Sequence, residues 1–257
     1  MLNLLGAAHW RKAMKFEIDQ LGIWNRYERE RMHWESHLNS TKQMILRWID
    51  DKSNDNIVVY GSGWLLDVPI VELYQKFRNV YLIDINHPPL VCKRYSHVHN
   101  VHFIEADITG CAQQIFNLIQ QYGKDAAPHV EKAILQSTAY QYTDAQYQVS
   151  VNVLSQLDTL IVEYLRSELN FDDMVFAKIR NHLQAEHIKL LGETKACLIT
   201  DVTMLQSSDD GKVIENKLIV DELLLPAPQN EWIWDFDLKG YFRKRHQTRM
   251  KVKAYYF

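Results

Sequence analysis

A chain of 257 residues is long enough to bury one sizeable core and still carry additions to it. An apolar share of 47% beside 24% charged residues is that of a soluble globular protein, with no internal repeat and no low-complexity tract. The formal charge of −3, from 29 basic and 32 acidic residues, supplies no overall field toward nucleic acid or an anionic membrane.

Three cysteines (Cys92, Cys111 and Cys197) are an odd number without paired spacing, which fits a reducing compartment better than a disulfide framework. The opening MLNLLGAAHWRKA has an apolar patch without a preceding basic region, too short for a signal-peptide core. No apolar run approaches the roughly 20 residues that cross a bilayer. The expectation is a soluble, cytoplasmic protein with no membrane partner.

Residues 1–50 read as an aromatic-rich helical cap. Trp24, Tyr27, Trp34 and Leu38 share one face of a 3.6-residue period, while Arg26, Glu28, Arg29, Glu30 and Arg31 suit a solvated face. Asn39-Ser40-Thr41 punctuates the pattern, and Lys42 to Ile49 reads as a further helix. Such a cap either packs on the core or closes over a ligand site.

Residues 51–257 read as the second unit, with elements alternating between strand and helix. The stretch from Asn56 to Asp84 organises it: a buried strand Ile57 to Tyr60, a Gly61-Ser62-Gly63 turn, a helix reaching about Phe77, and a strand Val80 to Ile83 closing on Asp84. Asp67 and Pro69 suit that helix's first turn. Glycines let a backbone approach a ligand, and a helix N-terminus behind them offers free N–H groups. A helix follows at Leu90 to Tyr95, then strand Val101 to Ala106 ending on Asp107. Ala112 to Tyr122 is helical, with Ile115, Leu118, Ile119 and Tyr122 on one face. Residues 123–144 read as an irregular insertion.

Tyr147 to Val153 is the fourth strand, Asp172 to Leu191 an amphipathic helix stopped by Gly192, and Lys195 to Thr200 a strand ending on Asp201. After a polar turn at Ser207 to Gly211 come strands at Val213 to Val220, Trp232 to Leu238 and Met250 to Phe257, the last two pairing antiparallel at the sheet edge. Alternation implies an α/β fold: a doubly wound, mostly parallel Rossmann-like sheet with helices on both faces. Ligands in such sheets bind outside the carboxyl ends of the strands. Asp84, Asp107, Asn152 and Asp201 would all meet at that edge.

From Asn56 to Asp201 the chain resembles the class I S-adenosylmethionine-dependent methyltransferases. In that family a glycine loop after the first strand lies under the methionine part of the cofactor, matching Tyr60, Gly61, Ser62, Gly63 and Trp64. An acid ending the second strand holds the ribose hydroxyls, matching Asp84 with Ile85 beside it. An acid after the third strand faces the adenine amino group, matching Asp107 and Ile108 in IEADIT. The fourth-strand segment VSVNVLSQL matches at Asn152 and Val153. The resemblance therefore implies S-adenosylmethionine as cofactor and methyl transfer to an acceptor, expected to be a small molecule. Two departures stand out: Val59 where the family has an acid, and Leu65 where it has a third glycine. They motivate a second reading, a catalytically silent member serving as a binding or interaction protein.

Other readings weigh less. A nicotinamide enzyme needs a third glycine at the Leu66 position. His97, His99 and His102 could approach a zinc ion, which takes about four ligands, but no cysteine or further acid stands at ligand spacing. A polar loop without metal is the expectation. Arg243, Lys244, Arg245, His246, Arg249 and Lys251, with Tyr241 and Phe242, form a basic and aromatic patch that could hold single-stranded nucleic acid. It falls in a hairpin loop of a slightly acidic chain, so nucleic acid is not the expected partner. Tyr60, His129 and Asp201 lie near the predicted edge as candidate bases, and none is assigned a catalytic role.

Overall fold

The computed structural model describes residues 4–208, 212–244 and 246–257. Helices α1 (Leu4–Ala13) and α2 (Phe16–Ile49) come first. The alternating core follows as β1 (Asn56–Tyr60), α3 (Ile70–Lys76), β2 (Asn79–Asp84), α4 (Pro89–Tyr95), β3 (Val101–Glu105), α5 (Ala112–Tyr122), α6 (Ala127–Leu135), β4 (Tyr147–Val151), α7 (Thr159–Glu168), α8 (Asp173–Gly192) and β5 (Lys195–Ser207). Strands β6 (Val213–Leu218), β7 (Asn230–Asp237) and β8 (Gln247–Tyr256) complete it.

The strands form one sheet in the order β3-β2-β1-β4-β5-β8-β7, with β6 paired to β5 off that path. Strands β1 to β5 pair in parallel, whereas β8 is antiparallel to both β5 and β7. The run 3-2-1-4-5 is the doubly wound order, and its direction reverses between β1 and β4. The expected antiparallel edge pair is present, with β8 inserted between β5 and β7.

Strict alternation along β1 explains the two cores. Val58 and Tyr60 face one layer with Ile115, Ile134, Ile161 and Ile179 from α5 to α8. Ile57 and Val59 face the other with Leu73 of α3, Val91 of α4, and Met44, Ile45 and Trp48 of α2. All four side chains from Ile57 to Tyr60 have no exposed surface, and each such burial contributes about 1.5–3 kcal/mol. A strand buried on both faces must be apolar throughout, which is why it is easy to recognise.

Several expectations change. Helix α2 runs unbroken through Asn39, Ser40 and Thr41, and its irregularity lies instead at Glu30 (φ −107°, ψ 15°). Glu30, expected in solvent, has no exposed surface. The segment expected to be irregular holds α6, whose Val130, Ala133 and Ile134 pack into the core. Phe116, not Tyr122, completes the buried face of α5, and Tyr122 is exposed. Strand β5 does not stop at Asp201 but continues to Ser207, with a bulge between Asp201 and Thr203. Of the Ser207 to Gly211 turn, residues 209–211 lie outside the described residues. No helix among the described residues is long and apolar enough to cross a membrane.

Candidate functional site

The switch point is built by the loop leaving β1. Gly61 (φ 77°), Gly63 (φ 34°) and Leu65 (φ 56°) all take positive φ. A Cβ on Gly61 would come within 2.6 Å of the Val151 carbonyl oxygen and 2.7 Å of Val153 Cβ, so glycine is required by the neighbouring strand end. Leu65 adopts the left-handed backbone that a glycine would take freely, at a cost of about 1–2 kcal/mol. Its side chain is 9% exposed and packs with the apolar cluster containing Trp34 and Ile70, and that burial offsets the strain. The substitution therefore keeps the turn. Val59 is sealed in the same cluster and offers the loop no polar group. Helix α3 begins only at Ile70, so loop amides, not a helix N-terminus, stand closest to the edge.

Asp84 closes the loop: Gly63 N–H donates to its Oδ2 at 2.8 Å, while the Gly61 N–H is held by Ile83 O at 2.9 Å. Burial raises the Asp84 carboxyl above its ordinary range, opposed by His87 and by the Gly63 amide. Asp107 is committed locally. Its Oδ1 accepts from Thr109 N (2.9 Å) and Thr109 Oγ1 (2.6 Å), and its Oδ2 from Ala112 N (2.7 Å), so it caps the start of α5. Ile108 and Tyr60 share the apolar cluster against which Ile85 and Val153 pack. Ser62 Oγ is buried without a protein partner.

Asn152 sits just past β4 with φ 48°, and its side chain turns toward α2. Its amide nitrogen lies 2.7 Å from Asp67 Oδ2 and 3.2 Å from His37 Nε2. Asp67 is therefore a long-range partner of β4 instead of the expected cap of α3. The N-terminal helices roof this edge. Trp64 Nε1 donates to Gln20 O at 2.8 Å, its ring lies 4.6 Å from Trp24, and the Gln20 side chain donates to the Asn86 backbone carbonyl while its Oε1 accepts from Asn86 Nδ2. Trp10 and Met14 join the same buried cluster as Tyr60, Ile83 and Ile108. Neither His37 nor Gln20 was singled out in the sequence. The usable signal was polar residues in phase with Trp34, Met44 and Trp48 on a helix's buried face.

The candidate bases are engaged or displaced. The Tyr60 hydroxyl accepts from Tyr142 N at 3.2 Å, and burial pushes it up to about 12. Asp201 accepts from Ser155 Oγ at 2.6 Å, and burial raises its carboxyl. His129 is exposed on α6, stacked on Tyr122, away from the edge. His102 pairs with Asn79 and stacks on Tyr81. The basic patch is partly spent on ion pairs, Arg249 with Asp235 and Lys251 with Glu231, and Arg245 lies outside the described residues. Two cavities flank the edge. One of about 650 Å³ lies between Trp24, Trp64, Leu65 and Arg94, and one of about 790 Å³ between Gly110, Tyr140, Glu186 and Glu193. Neither is lined by Gly61, Asp84 or Asp107.

Fold and edge together define a doubly wound, Rossmann-like α/β protein with a structured loop at its switch point. No family model matches the chain, and no curated protein does. Solved structures do match, at low identity. The N-methyltransferase NodS from Bradyrhizobium japonicum WM9, in complex with S-adenosyl-L-homocysteine, is 10% identical over 85% of each chain, with a TM-score of 0.40. The Burkholderia thailandensis 1,6-didemethyltoxoflavin-N1-methyltransferase is 9% identical over 92% of this chain and 87% of that one, at 0.44. The 23S rRNA methyltransferase ErmE is 10% identical over 84% of this chain and 68% of that one, at 0.32. At these values the likeness is one of layout and assigns no residue.

Proposed function

We propose that the chain is an S-adenosylmethionine-dependent methyltransferase acting on a small-molecule acceptor. The observation that carries this reading is the loop after β1. It keeps three positive-φ positions despite Leu65, and it is clamped through Gly63 N–H to the carboxylate ending β2. Toward the group, Gly61 turns the loop tightly against Val151 and Val153, and the Asp84 carboxylate, which also faces the Ile85 and Asn86 amides, would hold the ribose hydroxyls. Ser62 Oγ adds a buried polar atom still lacking a partner. When bound, S-adenosylmethionine supplies an electrophilic methyl carbon.

The protein's contribution is positioning and exclusion of water. Trp24 over Trp64 and Gln20 on Asn86 hold the roof against the loop. Tyr60 and Asp201 are both engaged, so neither serves as a base. The acceptor atom therefore arrives with its lone pair free.

A second reading is favoured by Asp107, whose carboxylate is taken up in capping α5, and by the closeness of Trp10 and Met14 to the site's apolar wall. On it, the fold is catalytically silent and serves binding. Titration calorimetry with S-adenosylmethionine and S-adenosylhomocysteine separates the two. Saturable binding that weakens at least tenfold in Asp84→Ala is the expected result. No heat at millimolar ligand would leave only the silent reading.

A further inference from the structure

The contacts around Asn152 do not balance as donors and acceptors. Trp232 Nε1 lies 3.1 Å from His37 Nδ1. An indole N–H can only donate, so Nδ1 must carry the lone pair. His37 is 1% exposed, with its ring stacked 3.9 Å from Trp234, and burial lowers it to about 3, so the ring is neutral. A neutral ring with a bare Nδ1 has its proton on Nε2. That Nε2–H then points at the Asn152 amide nitrogen, 3.2 Å away, which is also a donor. Meanwhile Asn152 Oδ1 is buried and finds no donor at all.

Exchanging the amide's oxygen and nitrogen, a choice that shape alone does not fix, removes the clash of two donors and leaves the amide's NH2, in place of Oδ1, at the buried position without a partner. The oxygen then accepts from His37 Nε2–H, and it stands 2.7 Å from Asp67 Oδ2. Two oxygens at that distance require a proton between them.

We propose that Asp67 is held as the neutral acid and, with the Nε2–H tautomer of His37, locks the Asn152 amide with its oxygen inward, so that Asp67 and His37 are positioning residues for the end of β4. The relay joins four elements: β7 through Trp232, α2 through His37, β4 through Asn152, and the switch-point loop through Asp67. The groups facing Asp67 are Asn152 at contact, its own backbone amide, and Lys42 of α2 at longer range; enclosure raises its carboxyl, the backbone amide and Lys42 oppose that, and the opposing Asn152 contact belongs to the amide orientation that the exchange removes. The Asn152 NH2 takes the place where Oδ1 had no partner.

The lock itself does not depend on the methyltransferase reading; only its use by a bound substrate does. Infrared difference spectra of the full chain at pH 7, wild type minus Asp67→Asn, should show one protonated-carboxyl stretch. Histidine-selective nitrogen-15 spectra, assigned with His37→Gln, should show the Nε2–H tautomer. Asp67→Asn can still donate to Asn152 and should match wild-type stability, whereas Asp67→Ala should lose it. An absent carboxyl band, a His37 proton on Nδ1, or equal losses in Asp67→Asn and Asp67→Ala would each overturn the lock. If the variants fail to fold, a wild-type spectrum at pH 7 without any protonated-carboxyl stretch still overturns the lock. S-adenosylhomocysteine titration of the same samples separates the claims: binding without the band sinks the lock alone, and the band without binding sinks the methyltransferase reading alone.

Discussion

Individual side chains at the switch point carry opposing demands. Gly61 has no room for a methyl group and lies at φ 77°. Gly61→Ala should cost about 2–5 kcal/mol, since the Val151 carbonyl and the partly buried Val153 would both have to move, beyond the roughly 1–2 kcal/mol of left-handed strain. Leu65 is a finer balance. Leu65→Gly removes about 1–2 kcal/mol of strain and forfeits about 1.5–3 kcal/mol of burial. Its urea midpoint should therefore stay near that of the wild type, while Leu65→Val, β-branched at positive φ, falls clearly below it. His187 tests burial through pH. It is fully buried, bonded to Ser150 Oγ at 2.8 Å, and lowered to about 4 by desolvation. The unfolded chain takes a proton near pH 6.5 and the folded one does not, so stability is lost as pH falls from about 6.5 toward 4. The loss is on the order of 3 kcal/mol at the lower end. Denaturation of His187→Asn across that window should show a flatter decline than wild type, and an unchanged slope would mean the ring is not sealed.

At the scale of elements, legibility followed buried apolar pattern. Strand β1 was readable because a parallel strand buried on both faces is apolar throughout. Helix α5 could be bounded at Ala112 and Tyr122 from its period alone. Asn39-Ser40-Thr41 misled because local propensity favours turns there, while packing of Thr41, Met44 and Ile45 carries the helix through. The overhang of β5 past Asp201 was hidden for a related reason: its continuation depends on partners β6 and β8, far off in sequence. Glu30 is the element-scale anomaly. Its carboxylate is fully buried without a hydrogen bond, with Arg29 Nε at 3.6 Å, and Arg29 keeps Asp237 at 3.3 Å. Glu30→Met should raise the unfolding free energy by about 1 kcal/mol or more, since a poorly paired buried charge is replaced by packing. Destabilisation in a urea melt would show that the carboxylate has a partner.

For the whole molecule, the doubly wound, mostly parallel layout was legible, and the contacts at its switch point only half so. The loop and Asp84 could be found because they are consecutive in one strand-loop-helix-strand unit and meet where expected. The commitment of Asp107 to α5 depended on side-chain geometry that spacing does not reveal. The pairing of Asp67 with Asn152 spans 85 residues, and His37 with Asn152 spans 115. No local pattern encodes such contacts; they exist only once the sheet has brought the segments together. The roof was foreseen as a possible closure, and Trp24 on Trp64 gives it a contact to test. Trp24→Ala should weaken S-adenosylhomocysteine binding several-fold in calorimetry while leaving the unfolding midpoint nearly unchanged, because Trp24 is only partly buried.

Helix α2 has a mechanical consequence. Its 34 residues span about 50 Å at roughly 1.5 Å each. One end, through Met44, Ile45 and Trp48, is embedded in the sheet's own core, and the other reaches over the switch-point loop. It is a beam held at both ends, since Trp10 and Met14 just before it are sunk in the cluster with Tyr60 and Ile83, and it cannot be tilted as a whole without shearing a close-packed interior. The compliant point is Glu30, where the helical dihedrals already depart from the ideal. Opening over Trp64 should therefore be a flexure of residues 16–29 about that joint that also unseats Trp10 and Met14 from the core, with the far half of the beam standing still.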